Sequence, residues 1–344
     1  DGRVLVSGGT TGSNTFAIYP TSELYNPATR TWAATGSFPS STKLAFHTSS
    51  RLPSGKVAAV GGVDGSGIVL ASLFLYDPAV GTWSTGPSMG NTHSSHTTTT
   101  LADGRLAVVG GYGAGTTPTN RVDLYNPTTN AWTVATSLPT ARARHAAEIL
   151  FDGRVLVAGG FDGTNYLSTA TIYNPATNTW AATSNAMSAA RADLTLSALT
   201  AGLVLAAGGT NSGGALASAQ LFNPNNGWFT AAAPMAAARG NHRATRIGHD
   251  EVLVTGGNGG AGSLATVERY DAEDNVWAAE PSLPAAKEGH AAPSLGPSHV
   301  LVAGAGSAQT WGRPTQLADA AAGPVLGATW TATAGTRAAA DLLS

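Results

Sequence analysis

The chain of 344 residues contains no cysteine. That absence excludes disulfides, thiolate metal sites, iron–sulfur clusters, a cysteine nucleophile and any cofactor built on a cysteine side chain. Charge is scarce as well: 18 Lys and Arg stand against 20 Asp and Glu, 11% of the chain, for a net charge of −2. An ordinary soluble domain carries about 25% charged residues. With no basic run, the sequence argues against a phosphate-tracking nucleic-acid binder and against a polybasic membrane anchor. Apolar runs are short, none reaching the roughly 18 residues of a spanning helix, so no membrane insertion is expected. The sequence opens at Asp1 with neither an initiating Met nor a signal-peptide pattern, which points to a processed product or an excised part of a larger chain.

Glycine, in contrast, is abundant at 43 residues, near twice the ordinary share of about 7%. Together with plentiful Ser, Thr, Asn and Ala it suits short strands joined by turns. An apolar run ending in a glycine pair recurs as VLVSGG (Gly8, Gly9), VAAVGG (Gly61, Gly62), LAVVGG (Gly110, Gly111), VLVAGG (Gly159, Gly160), VLAAGG (Gly208, Gly209) and VLVTGG (Gly256, Gly257). A seventh copy, VLVAGAG, keeps Gly304 and has Ala305 in second place. The first glycines are spaced by 53, 49, 49, 49, 48 and 48 residues. A Trp follows each pair: Trp32, Trp83, Trp132, Trp180, Trp228, Trp277 and Trp330. Between pair and Trp lie an aromatic and a turn, as in LYNPATRTW around Tyr25 and IYNPATNTW around Tyr173, with Phe222 and Tyr270 in copies five and six.

A period of this length decides the architecture. Each copy reads as a four-stranded antiparallel meander: strand 1 as in HAAEILF, an Asp152-Gly153 turn, strand 2, strand 3 ending at Tyr173, an Asn-Pro type I turn, and strand 4 with the Trp. One such sheet cannot bury both faces, so neighbours must stack, the glycine pairs admitting close backbone approach. From Gly304 through Ser344 and on from Asp1 to Gly8 is 48 residues, one further period. TRAAADLLS read into DGRVLVSGG also repeats ARHAAEILFDGRVLVAGG. The expectation is an all-β, seven-bladed β-propeller, a single domain over 1–344. Its first blade would be built from 1–36 plus a closing strand at 336–344.

The glycine pair, the Tyr-Asn/Asp-Pro turn and the spaced Trp resemble kelch repeats over essentially the whole chain. The DGRVLVxGG cadence resembles bacterial kelch proteins, many of them exported, which implies an extracytoplasmic or secreted location. Kelch propellers serve as binding platforms and as enzymes, so the resemblance implies fold more than activity. The copper radical oxidases among them, galactose oxidase included, need a Tyr cross-linked to Cys, and a chain without Cys cannot build that cofactor. Sialate-type mutarotases or epimerases would need an acid–base set in the channel, and plant specifier proteins a compact acid and His cluster. The spacing singles out neither.

Strand 2–3 loops and strand 4–1 connections share one face of a meander and differ from copy to copy, so recognition is expected there, near the central channel. Their large side chains are Phe16, Tyr19, Tyr112, Phe161, Tyr166 and Trp311. Trp311, Arg313, Tyr112, Tyr166, Arg142 and Arg243 form the expected ligand-binding set, for a glycan or a protein. The competing expectation is that the rings pack on their own loops. Fourteen positions before each pair stand His47, His96, His145, Leu194, His242 and His290, with Ala338 across the closure. Three or four residues earlier come Lys43, Thr92, Arg142, Arg191, Arg239 and Lys287. Such a ring looks like a metal or acid–base cluster. Its repetition favours instead a role in tying each connection to the neighbouring blade, and no metal is expected. Charges that break the repeat are Glu148, Asp341, Asp193, Glu288, Arg243, Arg246 and His249. The leading expectation is a non-catalytic recognition or scaffold domain without cofactor. The alternative is a carbohydrate-active enzyme (mutarotase, epimerase or lyase-like) at the channel mouth, using Glu148, Arg239 and His242.

Overall fold

A computed structural model describes residues 2–11, 17–248, 250–304, 309–312 and 329–332. Sheet A has three strands, Val4–Ser7, Ser22–Asn26 and Thr31–Thr35. Six four-stranded antiparallel blades follow. Blade B comprises Thr48–Arg51, Val57–Val60, Leu73–Asp77 and Thr82–Thr85. Blade C comprises Thr97–Thr100, Leu106–Val109, Val122–Asn126 and Ala131–Val134. Blade D comprises Ala146–Ile149, Val155–Ala158, Ala170–Asn174 and Thr179–Ala182. Blade E comprises Thr195–Ala198, Val204–Ala207, Ala219–Asn223 and Trp228–Ala232. Blade F comprises Arg243–Ile247, Glu251–Thr255, Val267–Asp271 and Val276–Glu280. Blade G comprises Ser294–Gly296, His299–Val302, Gln309–Gly312 and Thr329–Ala332. The fold is thus an all-β propeller with six four-stranded blades, not the seven expected. The strand assigned to complete sheet A, 336–344, lies outside the described residues.

Each second strand is buried on both faces, which is why it reads as an unbroken apolar run. In blade D the alternation is visible residue by residue: Val155 and Val157 pack with blade C, Leu156 and Ala158 with blade E. Every core cluster straddles two sheets in this way. One joins Val6 and Tyr25 of sheet A to Leu301 and Ala303 of blade G, so the first sheet packs against the last. The outer layer comes from cross-strand aromatic pairs. Tyr125 and Trp132 lie opposite each other with ring centroids 5.0 Å apart, Tyr173 and Trp180 at 4.9 Å, Tyr270 and Trp277 at 5.0 Å. The indole N–H then donates to the preceding blade, as Trp180 does to the Thr136 carbonyl at 2.8 Å. Each fully buried ring contributes on the order of 1.5–3 kcal/mol.

Trp228 departs from this set. The register places Phe229, not Trp228, opposite Phe222, with centroids 4.8 Å apart, and Trp228 is turned out, half exposed. The turn has the same length as in the other blades, with Gly227 where blade D has Asn178, so Trp228 stands one position earlier, at the register of Thr179, and alternation along the strand turns it to the outward face.

Candidate functional site

The glycine pairs sit where blades touch. A Cβ on Gly110 would stand 2.6 Å from the Arg142 carbonyl oxygen and one on Gly111 2.4 Å from that of Ser94, so neither position admits a side chain. Both also hold positive φ, +59° and +87°. In blades D to G the carbonyl of the first glycine is bound by a basic side chain from the strand 4–1 connection leading into its blade. Arg142 Nη1 donates to the Gly159 and Thr169 carbonyls at 2.9 and 3.0 Å. Arg191 does the same with Gly208 and Ser218 at 2.9 and 3.0 Å, and Arg239 with Gly256 and Thr266 at 2.7 and 2.9 Å. Lys287 Nζ reaches the Gly304 carbonyl at 2.7 Å. The side chain therefore anchors the connection to the blade it enters, rather than to the neighbour that the sequence suggested. In blade C the equivalent is His93, not Thr92. Its Nδ1 lies 2.7 Å from the Gly110 carbonyl and its Nε2 2.8 Å from Asp123. The buried imidazole thus joins the Gly110 carbonyl to Asp123, where a guanidinium serves blades D to F.

These groups are buried and committed to backbone. Burial lowers Arg142 and Arg191 to about 10, which leaves them charged at neutral pH. Arg239 also holds Glu268 at 2.6 Å. Arg142 and Arg239, expected at a ligand or in catalysis, are instead scaffold residues, since their guanidinium groups are enclosed.

The histidine ring has a second structural explanation. Thr48 Oγ1 lies 2.9 Å from His96 Nε2, Thr97 from His145 at 2.9 Å and Thr195 from His242 at 2.9 Å. In each case the hydroxyl opening one innermost strand meets the imidazole of the next blade. Leu194 interrupts the histidines where Ala146 interrupts the hydroxyls, and these two share one apolar cluster. Donor and acceptor disappear together because either alone would be left buried without its partner. Burial lowers His145 and His242 to about 3, and His96 and His290 also fall well below their ordinary value. His242 is neutral and hydrogen-bonded, unsuited to the acid–base role expected of it. Among the described residues no group of three or more His, Asp or Glu is placed to hold a metal.

One residue before each histidine position lies a different kind of ring: Phe46, Ser95, Arg144, Asp193, Asn241 and Gly289, all at positive φ between +47° and +59°. Their backbones join blade to blade. Ser95 N–H donates to the Phe46 carbonyl (3.1 Å), Arg144 to Ser95 (3.2 Å), Asp193 to Arg144 (2.9 Å), Asn241 to Asp193 (3.0 Å) and Gly289 to Asn241 (3.0 Å). Left-handed backbone costs a residue with a Cβ about 1 kcal/mol or more. Glycine meets the requirement at 289, yet five other positions carry five different side chains. These side chains, apart from Gly289, line a cavity of about 620 Å³ at the channel mouth.

Arg144 and Asp193 form an ion pair across that mouth, Nε to Oδ1 at 2.9 Å and Nη2 to Oδ2 in a second short contact. Thr210 Oγ1 adds a bond to Asp193 at 3.1 Å. The bond to Asp193 holds Arg144 above its ordinary pKa, against burial, and Tyr112 and Tyr166 contribute in the same direction. Tyr166 in turn packs on Phe161, centroids 5.4 Å apart. Arg243 lines the same cavity, its Nε donating to the His290 carbonyl at 2.5 Å and its pKa lowered by burial to about 10. Of the sequence-derived set, Arg243 lines this cavity and Tyr112 and Tyr166 act on Arg144 through charge, while Arg144 itself was missed. Its signal was available: it holds the one register in the repeat where backbone role is constant and side-chain type is not. Glu148 is half-buried in the first strand of blade D, its carboxyl raised by burial to about 7 with Arg246 opposing the shift. The backbone of Trp311 lies in the third strand of blade G, paired with Trp330 as Tyr270 is with Trp277, so it stands in a strand and not in the strand 2–3 loop expected of it; Arg313, His249 and Asp341 lie outside the described residues.

Residues 1–209 match the KLHDC2/KLHL20/DRC7 Kelch-repeats domain, and residues 239–284 match the Kelch motif. The chain belongs to the kelch-repeat family. Solved structures share its fold at low identity. The structure titled YjhT aligns with a TM-score of 0.63 at 15% identity, covering 80% of this chain and 97% of that one. A fungal alcohol oxidase of the AA5 family, in complex with copper, aligns with a TM-score of 0.69 at 17% identity, covering 90% of this chain and 67% of the oxidase. No curated protein sequence matches this kelch chain. Among its described residues no helix is long and apolar enough to cross a membrane.

Proposed function

We propose that this kelch propeller is a recognition domain that binds a glycan or a protein at the channel mouth, on the face of the strand 2–3 loops and strand 4–1 connections. The observation that carries the reading is the ring of six left-handed residues, whose backbones are alike and whose side chains are not. A structural requirement would be met most cheaply by glycine throughout. The reading extends to a seventh blade completed by 336–344. The test is a screen of the immobilised chain against glycan and peptide libraries, with the Tyr112→Ala/Tyr166→Ala variant as comparison. Binding lost in that variant while its thermal unfolding is unchanged is the expected result. Hits that bind both proteins equally would remove the site from this face.

One observation favours a second reading, a carbohydrate-active enzyme. Glu148 titrates near neutrality on an innermost strand, as a general acid or base does. The copper chemistry of the oxidase with the similar fold does not carry over, since the Tyr–Cys cross-link needs a cysteine. Anomer exchange or turnover in a panel of oligosaccharides, abolished by Glu148→Gln, would establish that reading.

A further inference from the structure

The cavity at the channel mouth has a chemistry of its own. Its wall is rich in hydroxyls, among them Thr48, Ser49, Ser95 and Thr98, with the amide of Asn241 and the ring of Phe46. Its volume, about 620 Å³, falls within the roughly 300–1,000 Å³ of small-ligand sites. Three charged side chains line the cavity: Arg144 and Asp193 pair with each other, and Arg243 donates to the His290 carbonyl. Asp193 receives two bonds from Arg144 and one from Thr210, which leaves acceptor capacity on its two oxygens. Arg144 uses Nε and Nη2 on Asp193, which leaves the Nη1 hydrogens for another acceptor. A free donor and a free acceptor thus stand side by side, with the pair itself electrically balanced.

From this arrangement we infer that the cavity takes the terminal unit of a neutral, polyhydroxylated ligand, a saccharide, with the Arg144–Asp193 pair as its clamp. Two adjacent hydroxyls satisfy both free groups at once: one donates to the Asp193 carboxylate while its neighbour accepts from Arg144 Nη1. A ligand carboxylate cannot do so, because it would face Asp193 or have to displace it from Arg144. The hydroxyl-lined wall meets the remaining ligand hydroxyls, and the Phe46 ring offers an apolar face to the C–H side of a sugar. The inference rests on the recognition reading and narrows it to one ligand class.

The experiment is calorimetric titration and ligand-observed NMR of the full chain with neutral mono- and disaccharides, the matching uronic acids, and peptides drawn from a library selection. The variants are Asp193→Asn and Arg144→Asn, because asparagine tolerates left-handed backbone and both should fold. Thermal unfolding of each checks that they do. The expected result is binding of a neutral sugar, weakened about tenfold or more in each variant. Binding that prefers uronic acids and tightens in Asp193→Asn would overturn the inference and make the cavity an anion site. So would neutral-sugar binding indifferent to both variants, or failure of every saccharide to bind. Peptides that bind at this face when no saccharide does would sink the saccharide yet leave the recognition reading standing. If neither class binds, both fall.

Discussion

Two rings of residues lie one position apart in this propeller, and they have opposite characters. His96, His145, His242 and His290 are alike in type, buried and hydrogen-bonded to a threonine. Ser95, Arg144, Asp193 and Asn241, each one residue earlier or nearly so in register, differ in type, line the cavity and share only a backbone conformation. In the first ring the scaffold needs the side chain. In the second it needs the backbone alone, and under the proposed function the side chains serve a ligand. Repetition within one chain therefore separates side chains that hold the fold from side chains that the fold leaves free to vary.

The sharpest break of the scaffold side is expected at Arg191. Replacing it with Leu takes from the buried Gly208 carbonyl its side-chain donor and from the Ser218 carbonyl one of its two donors, and chemical denaturation should show a loss of about 3 kcal/mol. A loss under 1 kcal/mol would mean that the basic residues are not anchors.

The histidine ring is tested by copying the natural Ala146–Leu194 junction onto its neighbour. His145→Leu alone should cost roughly 1–3 kcal/mol, because Thr97 is left without its partner. Thr97→Ala/His145→Leu should recover most of it, an interaction a double-mutant cycle detects. Acid unfolding follows with a definite sign. A histidine near 3 in the fold and about 6.5 when unfolded supports the fold fully above the unfolded value. That support is lost as pH falls towards 3, by about 1.4 kcal/mol per pH unit for each residue. The double variant should show a shallower acid limb.

Glu148 works in the reverse direction. Raised to about 7 by burial, it makes the fold less stable as pH climbs from the unfolded carboxyl value towards 7, and level thereafter. Glu148→Gln should remove that slope, worth roughly 1–2 kcal/mol once solvent screening is allowed for. Parallel stability curves for the two proteins across this range would show that the carboxyl is not desolvated.

The smallest effect is expected on the ligand side. Ser95→Gly relieves a left-handed Cβ, so stability should stay level or rise by up to about 1 kcal/mol. A clear loss would show that the serine side chain, too, belongs to the scaffold.

Much of this was legible in the chain because its physical causes are local and repeated. The glycine pairs, the turns and the Tyr–Trp pairs recur with a fixed period, and each has a requirement visible in residue type. Trp228 escaped because the count of aromatics does not show strand register: it stands one position before the slot that Phe229 fills, and alternation turns the indole outward. His93 escaped because its role, a donor to the Gly110 carbonyl, was sought among lysines and arginines. Arg142 and Arg239 were legible as basic but not as enclosed. Burial depends on what the next strand places over them.

By itself the sequence determined the period, the meander and the kelch family, since backbone turns and apolar alternation act over a few residues. Tertiary structure alone decided which charges meet. Arg144 and Asp193 are 49 residues apart, one full repeat, and become neighbours only because successive blades turn the same register towards a common axis. A cyclic arrangement converts equivalence along the chain into proximity in space. No local pattern shows that two dissimilar residues at one register will form a pair.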